Sequence, residues 1–171
     1  HIGIFSWKFE RKTGVKQKIL MNLLREFQIA DIIICNPYPG GVPRGDKKGF
    51  RNIWDQGEYW HPGLKKTAKN LFNLAGINSG LIDIEHPLEI ECYSNYWIAN
   101  RDFWDLFMSY SERLYKAAYS NKSLKYDLFE KKTHKNQSYF PFVFERVFTT
   151  ILNKFSNSFN IQSIKINQSN S

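Results

Sequence analysis

The sequence is poor in cysteine, with two in 171 residues, and holds only six prolines and two methionines. Two thiols are too few to staple a chain of this length, so a disulfide scaffold is excluded and reduced, buried thiols at Cys35 and Cys92 are expected. Long apolar runs are missing too. A bilayer-spanning helix needs roughly 20 consecutive apolar residues, whereas the densest stretch, Asp31-Ile32-Ile33-Ile34-Cys35, stops at Asn36-Pro37. Acids are also short: 16 against 24 Lys and Arg leaves a net charge of +8. What is abundant is aromatic and aliphatic material, 42% of the chain. A chain this long buries about two thirds of its unfolded surface, which excludes wholesale disorder.

His1 to Trp7 opens as an apolar strand. Val15 to Phe27 follows helical spacing through Val15, Ile19, Leu23 and Phe27, joined by Leu20 and Leu24. Ala30 to Cys35 is a buried strand, too short and too isoleucine-rich for a helix. The order strand, helix, strand gives an α/β layer. Pro37 to Asn52 is a long turn-rich connection. Gly63 to Ala75 is a helix closed by Gly76. Glu89 to Ala99 reads as a strand, and Asn100 caps a helix carrying Phe103, Leu106, Phe107, Tyr110 and Leu114. Ser120 to Ser138 is a polar, lysine-rich surface excursion. Pro141 then begins a helix with a wide apolar face from Val143 to Phe155. In residues 156–171, 11 of 16 residues are Ser, Asn or Gln, so a polar tail or edge strand follows a single domain over 1–155.

Chemistry concentrates in four places. Lys8, within Trp7-Lys8-Phe9-Glu10-Arg11-Lys12, follows the first strand, where α/β sheets bind ligands, and could pair with a phosphate or carboxylate or form part of a solvated charge run. Phe50 to Gly63 crowds Trp54, Asp55, Glu58 and His61 among aromatic rings, the furnishing of a carbohydrate site. There Glu58 or Asp55 would take an acceptor proton, and His61 would do the same or steady a leaving group. The structural alternative is a capped turn with tryptophans covering the core. Asp83 and Glu85 have the spacing of a metal-holding pair, although a surface loop explains them better. Glu145 lies in about the first turn of the last helix, where the dipole favours an acid that can act as a general base; an internal Glu145–Arg146 pair competes with that role.

The order of Ile2-Gly3-Ile4-Phe5-Ser6-Trp7-Lys8-Phe9, Ala30-Asp31-Ile32-Ile33, Trp54-Asp55-Gln56-Gly57-Glu58 with His61-Pro62-Gly63, Cys92 to Ala99, and Phe140 to Phe148 resembles a group of bacterial glycosyltransferases of capsule and lipopolysaccharide synthesis. The resemblance spans Ile2 to Leu152. It implies an α/β, GT-A-like three-layer sandwich, a mixed sheet flanked by helices, corresponding to the C-terminal portion of such an enzyme without its N-terminal nucleotide-binding strands. It implies transfer from a nucleotide-sugar donor to a glycan or lipid-linked acceptor. In that frame Trp7 and Lys8 line the donor side, Asn95, Tyr96 and Trp97 the sugar cleft, and Glu145 and Arg146 the catalytic edge.

The family's metal motif is not in the sequence. No D-x-D sits between apolar strands, so either no metal is used, or the ligands of a divalent Mn or Mg belong to an upstream part of the parent chain, or Asp83 and Glu85 supply them. A cytoplasmic site of action, at the inner face of the membrane, goes with this reading. The competing class is a non-catalytic carbohydrate-binding or assembly module of a larger synthase. Nucleic acid is not the expected partner: the lysines are dispersed and no nucleic-acid motif accompanies them, so the charge suits nucleotide diphosphates, acidic glycans or an anionic membrane.

Overall fold

The computed structural model describes residues 1–5, 8–27, 29–36, 49–133 and 136–165. Its centre is strand β2 (Ile32–Asn36), in a mixed four-stranded sheet of order β1-β3-β2-β4. Strands β1 (Ile2–Gly3) and β3 (Trp97–Ala99) are antiparallel, as are β3 and β2, with Ile32 opposite Ala99 and Ile34 opposite Trp97. Strand β4 (Ile161–Lys165) runs parallel to β2, Ile32 opposite Ile161. Residues 161–165 thus form the expected edge strand; 166–171 lie outside the described residues.

The period-two alternation of β2 splits the core into two faces. Ile33 and Cys35 pack with Phe9, Leu20, Tyr96 and Ile98 beneath α1 (Phe9–Thr13) and α2 (Gln17–Glu26). Ile32 and Ile34 pack with Trp97, Phe103, Phe148 and Leu152 beneath α5 (Arg101–Ser120) and α7 (Phe140–Phe155). Helices therefore cover both faces of a mixed sheet, and the α/β class is met. A separate helical core joins α3 (Ile53–Trp60), α4 (Leu64–Leu74), α5 and α7 around Trp54, Leu71, Phe72, Leu114 and Ile151.

Several elements follow the expected chemistry. Oδ1 of Asn100 accepts from the Phe103 amide at 3.0 Å and caps α5. Gly76, at φ +66°, stands just beyond α4, where the left-handed conformation suits glycine. Cys35 and Cys92 are free, buried thiols, and burial pushes Cys35 up to about 12.

Other expectations are corrected. The first strand is two residues long and solvent-exposed, with Ile2 and Ile4 uncovered, because it pairs only with β3 at the sheet edge. Only Trp97–Ala99 of the expected Glu89–Ala99 strand is extended; Leu88–Ile90 is a 3-10 turn, and left-handed Ser94 and Asn95 interrupt the chain. The crowded Phe50–Gly63 segment, for which no helix was expected, contains helix α3, since Asn52 accepts from the Trp54 and Asp55 amides at 3.0 and 2.8 Å and starts it. The lysine-rich excursion contains α6 (Lys122–Lys125) and a π turn at Tyr126–Glu130, anchored by buried Leu124 and Leu128.

Candidate functional site

Because β3 is antiparallel to β2, the turn entering β3 sits beside the carboxyl end of β2, where the Cys35 amide donates to the Tyr96 carbonyl at 2.7 Å. That end of an α/β sheet is where ligands bind. Two consecutive non-glycine residues occupy it in the left-handed region, Ser94 at φ 67° and Asn95 at φ 54°. Each such residue costs about 1–3 kcal/mol unless its surroundings hold it, and such strain gathers at functional sites.

What holds this turn is α7. The Ser94 amide donates to Oε1 of Glu145 at 2.7 Å. Lys12, from α1 on the other face of the sheet, donates to the Ser94 hydroxyl at 2.8 Å. The Asn95 side-chain carbonyl is buried and, among the described residues, has no hydrogen-bond partner, an omission native structures rarely carry without a reason.

Next to Glu145, Arg146 is 4% exposed and spends its guanidinium on a full set of acceptors. Its Nε donates to the Ile53 carbonyl at 2.8 Å, Nη1 to the Phe142 carbonyl at 2.7 Å and Nη2 to Gln56 Oε1 at 2.6 Å. Glu145 Oε2 lies 3.4 Å from Nη1. Burial pulls this guanidinium below its ordinary value, and Glu145, Tyr93 and Glu91 oppose the shift. Helix α3 can come this close only because residue 57 is glycine: a Cβ there would meet the guanidinium Cζ at 2.8 Å. The internal Glu145–Arg146 contact is present, at 3.4 Å; Arg146 ties helices together, and Glu145 faces the turn at 28% side-chain exposure.

Glu145 is the sixth residue of α7, because the helix starts at Phe140, one position before Pro141. It lies past the first turn, so the Ser94 amide and Arg146 hold it, not the helix end.

Sequence reasoning missed a further acid. Glu91 is 3% exposed and accepts from the Tyr93 hydroxyl at 3.1 Å. Burial raises it to about 7, with Tyr93 and Arg146 pulling the other way. Burial likewise raises Tyr93. The one signal in the sequence is an acid set between apolar Ile90 and Cys92.

The remaining expected residues lie elsewhere. Trp54 is fully buried, donating to the Thr150 hydroxyl at 2.8 Å, so its ring covers the core. Tyr96 and Trp97 point to opposite faces of the sheet: Tyr96 meets Phe5 and Phe9, while Trp97 stacks on Phe148 at 4.5 Å. They do not share one wall. Glu58 caps α4, accepting from the Gly63 and Lys65 amides at 2.7 and 2.8 Å. Asp55 is held by Arg51 at 3.1 Å and Lys65 at 2.7 Å. His61 is buried and stacks on Phe142 at 3.8 Å, which places it beside Arg146's anchor. Lys8 is exposed, immediately before α1. Trp7 lies outside the described residues.

Asp83 is bound by Lys65 at 3.0 Å and Lys69 at 2.6 Å. Those lysines lower it from its ordinary value. Among the described residues no group of three His, Cys, Asp or Glu gathers as metal ligands, and the Asp83 carboxylate is engaged by two lysines. Also among the described residues, no helix is long and apolar enough to cross a membrane. No protein family, no curated protein and no solved structure matches this chain.

Proposed function

We propose that this chain is a glycosyltransferase domain of GT-A-like fold that moves a sugar from a nucleotide-sugar donor to a glycan or lipid-linked acceptor in bacterial surface polysaccharide synthesis. The observation that carries this reading is the convergence of Glu145, the strained Ser94–Asn95 turn and Lys12 at the carboxyl end of the central strand. An acid aimed at that edge suits a general base, and cations beside it suit a diphosphate.

In the reaction, an acceptor hydroxyl oxygen attacks the anomeric carbon while the bond from that carbon to the diphosphate oxygen breaks. The hydroxyl proton passes to Glu145, and the diphosphate leaves with the bonding electrons. Lys12 and Lys8 offset its charge. Arg146 acts as a positioning residue, through Glu145. No step runs through a metal, because Asp83 is already neutralised by two lysines. Nucleotide sugars place the reaction in the cytoplasm, at the inner membrane face when the acceptor is lipid-linked.

A second reading, a non-catalytic carbohydrate-binding module, has one observation of its own. Tyr59 and Trp60 are 52% and 40% exposed, with ring centroids 5.0 Å apart, a surface on which a sugar ring could stack. The test is incubation with a panel of nucleotide sugars and glycan acceptors, following nucleoside diphosphate release and product mass. Transfer supports the first reading. Glycan binding that Trp60→Ala abolishes, with no nucleotide released from any donor, supports the second.

A further inference from the structure

The face of the sheet beneath α2 is incompletely covered. Between α2 and the edge strand β1 runs a groove of about 490 Å³, lined chiefly by Phe5, Leu20, Met21, Leu24, Phe27 and Ile98. That volume lies within the ~300–1,000 Å³ typical of ligand sites. Among the described residues β1 is only two residues long, and its Gly3 lines the groove opposite Gln17, Leu20 and Leu24 of α2.

The helix repeat fixes what borders it. Residues three and four apart share a row, so Gln17, Leu20 or Met21, and Leu24 form the lining row. The neighbouring row, one position on, is Lys18, Met21 or Asn22, and Arg25. Lys18 and Arg25 are exposed, and Met21, at the lip, is 46% exposed. Residues 8–26 hold six cations and two acids, so this short stretch carries +4 of the chain's +8. An apolar slot rimmed by a cationic row complements a molecule with one apolar chain and an anionic head.

We propose that this groove is a binding site for an anionic lipid phosphate, its hydrocarbon chain lying between α2 and β1 and its phosphate on the Lys18–Arg25 row. Through it the domain docks on an anionic bilayer. The site is separate from the Glu145 turn and does not depend on the transferase reading.

The test uses a single-chain probe, lysophosphatidylglycerol below its micelle threshold, measured by calorimetry, and vesicles of phosphatidylcholine with and without phosphatidylglycerol. Tight binding of the anionic probe is expected, at least ten times weaker for lysophosphatidylcholine. Met21→Trp, which fills the slot, and the Lys18→Glu/Arg25→Glu pair should each weaken the anionic probe at least tenfold. Ile19→Trp, on the opposite flank of the same helix, should leave it unchanged. Thermal melts of each variant separate lost binding from lost fold. Equal binding of the two head groups, an unaffected Met21→Trp variant, or vesicle binding without probe binding would overturn the proposal, the last by showing only the attraction of a +8 protein to a charged surface.

Discussion

Two segments of this molecule are rich in acids, amides and rings, and they use them differently. In the stretch from Asn52 to Gly63 almost every polar group is spent on architecture: Asn52 caps α3, Glu58 caps α4, and Asp55 joins Arg51 and Lys65. In the stretch from Glu91 to Asn95 the polar groups work against the fold. Glu91 is buried against its preference for water, Ser94 and Asn95 are left-handed, and the Asn95 carbonyl has no hydrogen-bond partner among the described residues. The difference teaches that polar crowding in a sequence does not by itself mark a site: one crowded segment is consumed by caps and ion pairs, whereas the other carries costs of the kind that gather at functional sites.

Arg146 connects the two segments, so the largest effect is expected there. Arg146→Met strips buried acceptors on Ile53, Phe142 and Gln56 of their donor, and should cost about 3–5 kcal/mol in urea unfolding. A loss under 1 kcal/mol would mean the helices are joined by apolar packing alone.

Glu91→Gln sharpens the comparison through pH. The folded protein holds Glu91 at about 7 against an ordinary 4.5, so the folded state favours the protonated acid. Its contribution is full below pH 4.5 and disappears as pH rises through 7. The variant should therefore gain on the wild type by on the order of 3 kcal/mol across that interval. His86 works with the opposite sign: burial lowers it to about 4, so its contribution is present above pH 6.5 and disappears as pH falls through 4. Parallel stability curves for Glu91→Gln and wild type would show that Glu91 is not buried as described.

Much of the fold was legible where apolar spacing was long and its ends were marked. Helix α4 has Gly63 and Gly76 around it, α5 has Asn100, and α7 has Pro141 and an apolar face four turns long. Strand β2 was legible because the run Ile32 to Cys35, buried on both faces, needs no polar alternation. Strand β3 was legible in place but not in length: it occupies only the last three residues of the expected Glu89–Ala99 strand, and three residues give no period. Helix α3 escaped because an interior glycine and mixed polar residues disguise it; the Gly57 that looks like a turn is there for Arg146. In the site, Glu145 and Arg146 stood out as charges on an apolar helix. Glu91 and the Ser94–Asn95 strain did not, since burial and backbone angle are products of tertiary packing.

Smaller effects separate strain from packing. Asn95→Gly removes the left-handed penalty at φ 54°, set against a looser unfolded chain, and should raise stability by up to about 1 kcal/mol in thermal unfolding. If the turn is strained for function, transfer falls in the same variant. A more stable, fully active Asn95→Gly protein would make the strain incidental.

The most direct measurement compares initial transfer rates of Glu145→Gln and Glu58→Gln at a pH and temperature where both are folded. Glutamine at 145 keeps an acceptor for the Ser94 amide and removes the proposed base, so transfer should drop at least a hundredfold. Glutamine at 58 weakens only the α4 cap, costing up to about 1 kcal/mol of stability and leaving the rate within a factor of two or so. Full activity in Glu145→Gln, or a collapse of rate in a folded Glu58→Gln, would contradict the placement of the reaction at the β2 edge.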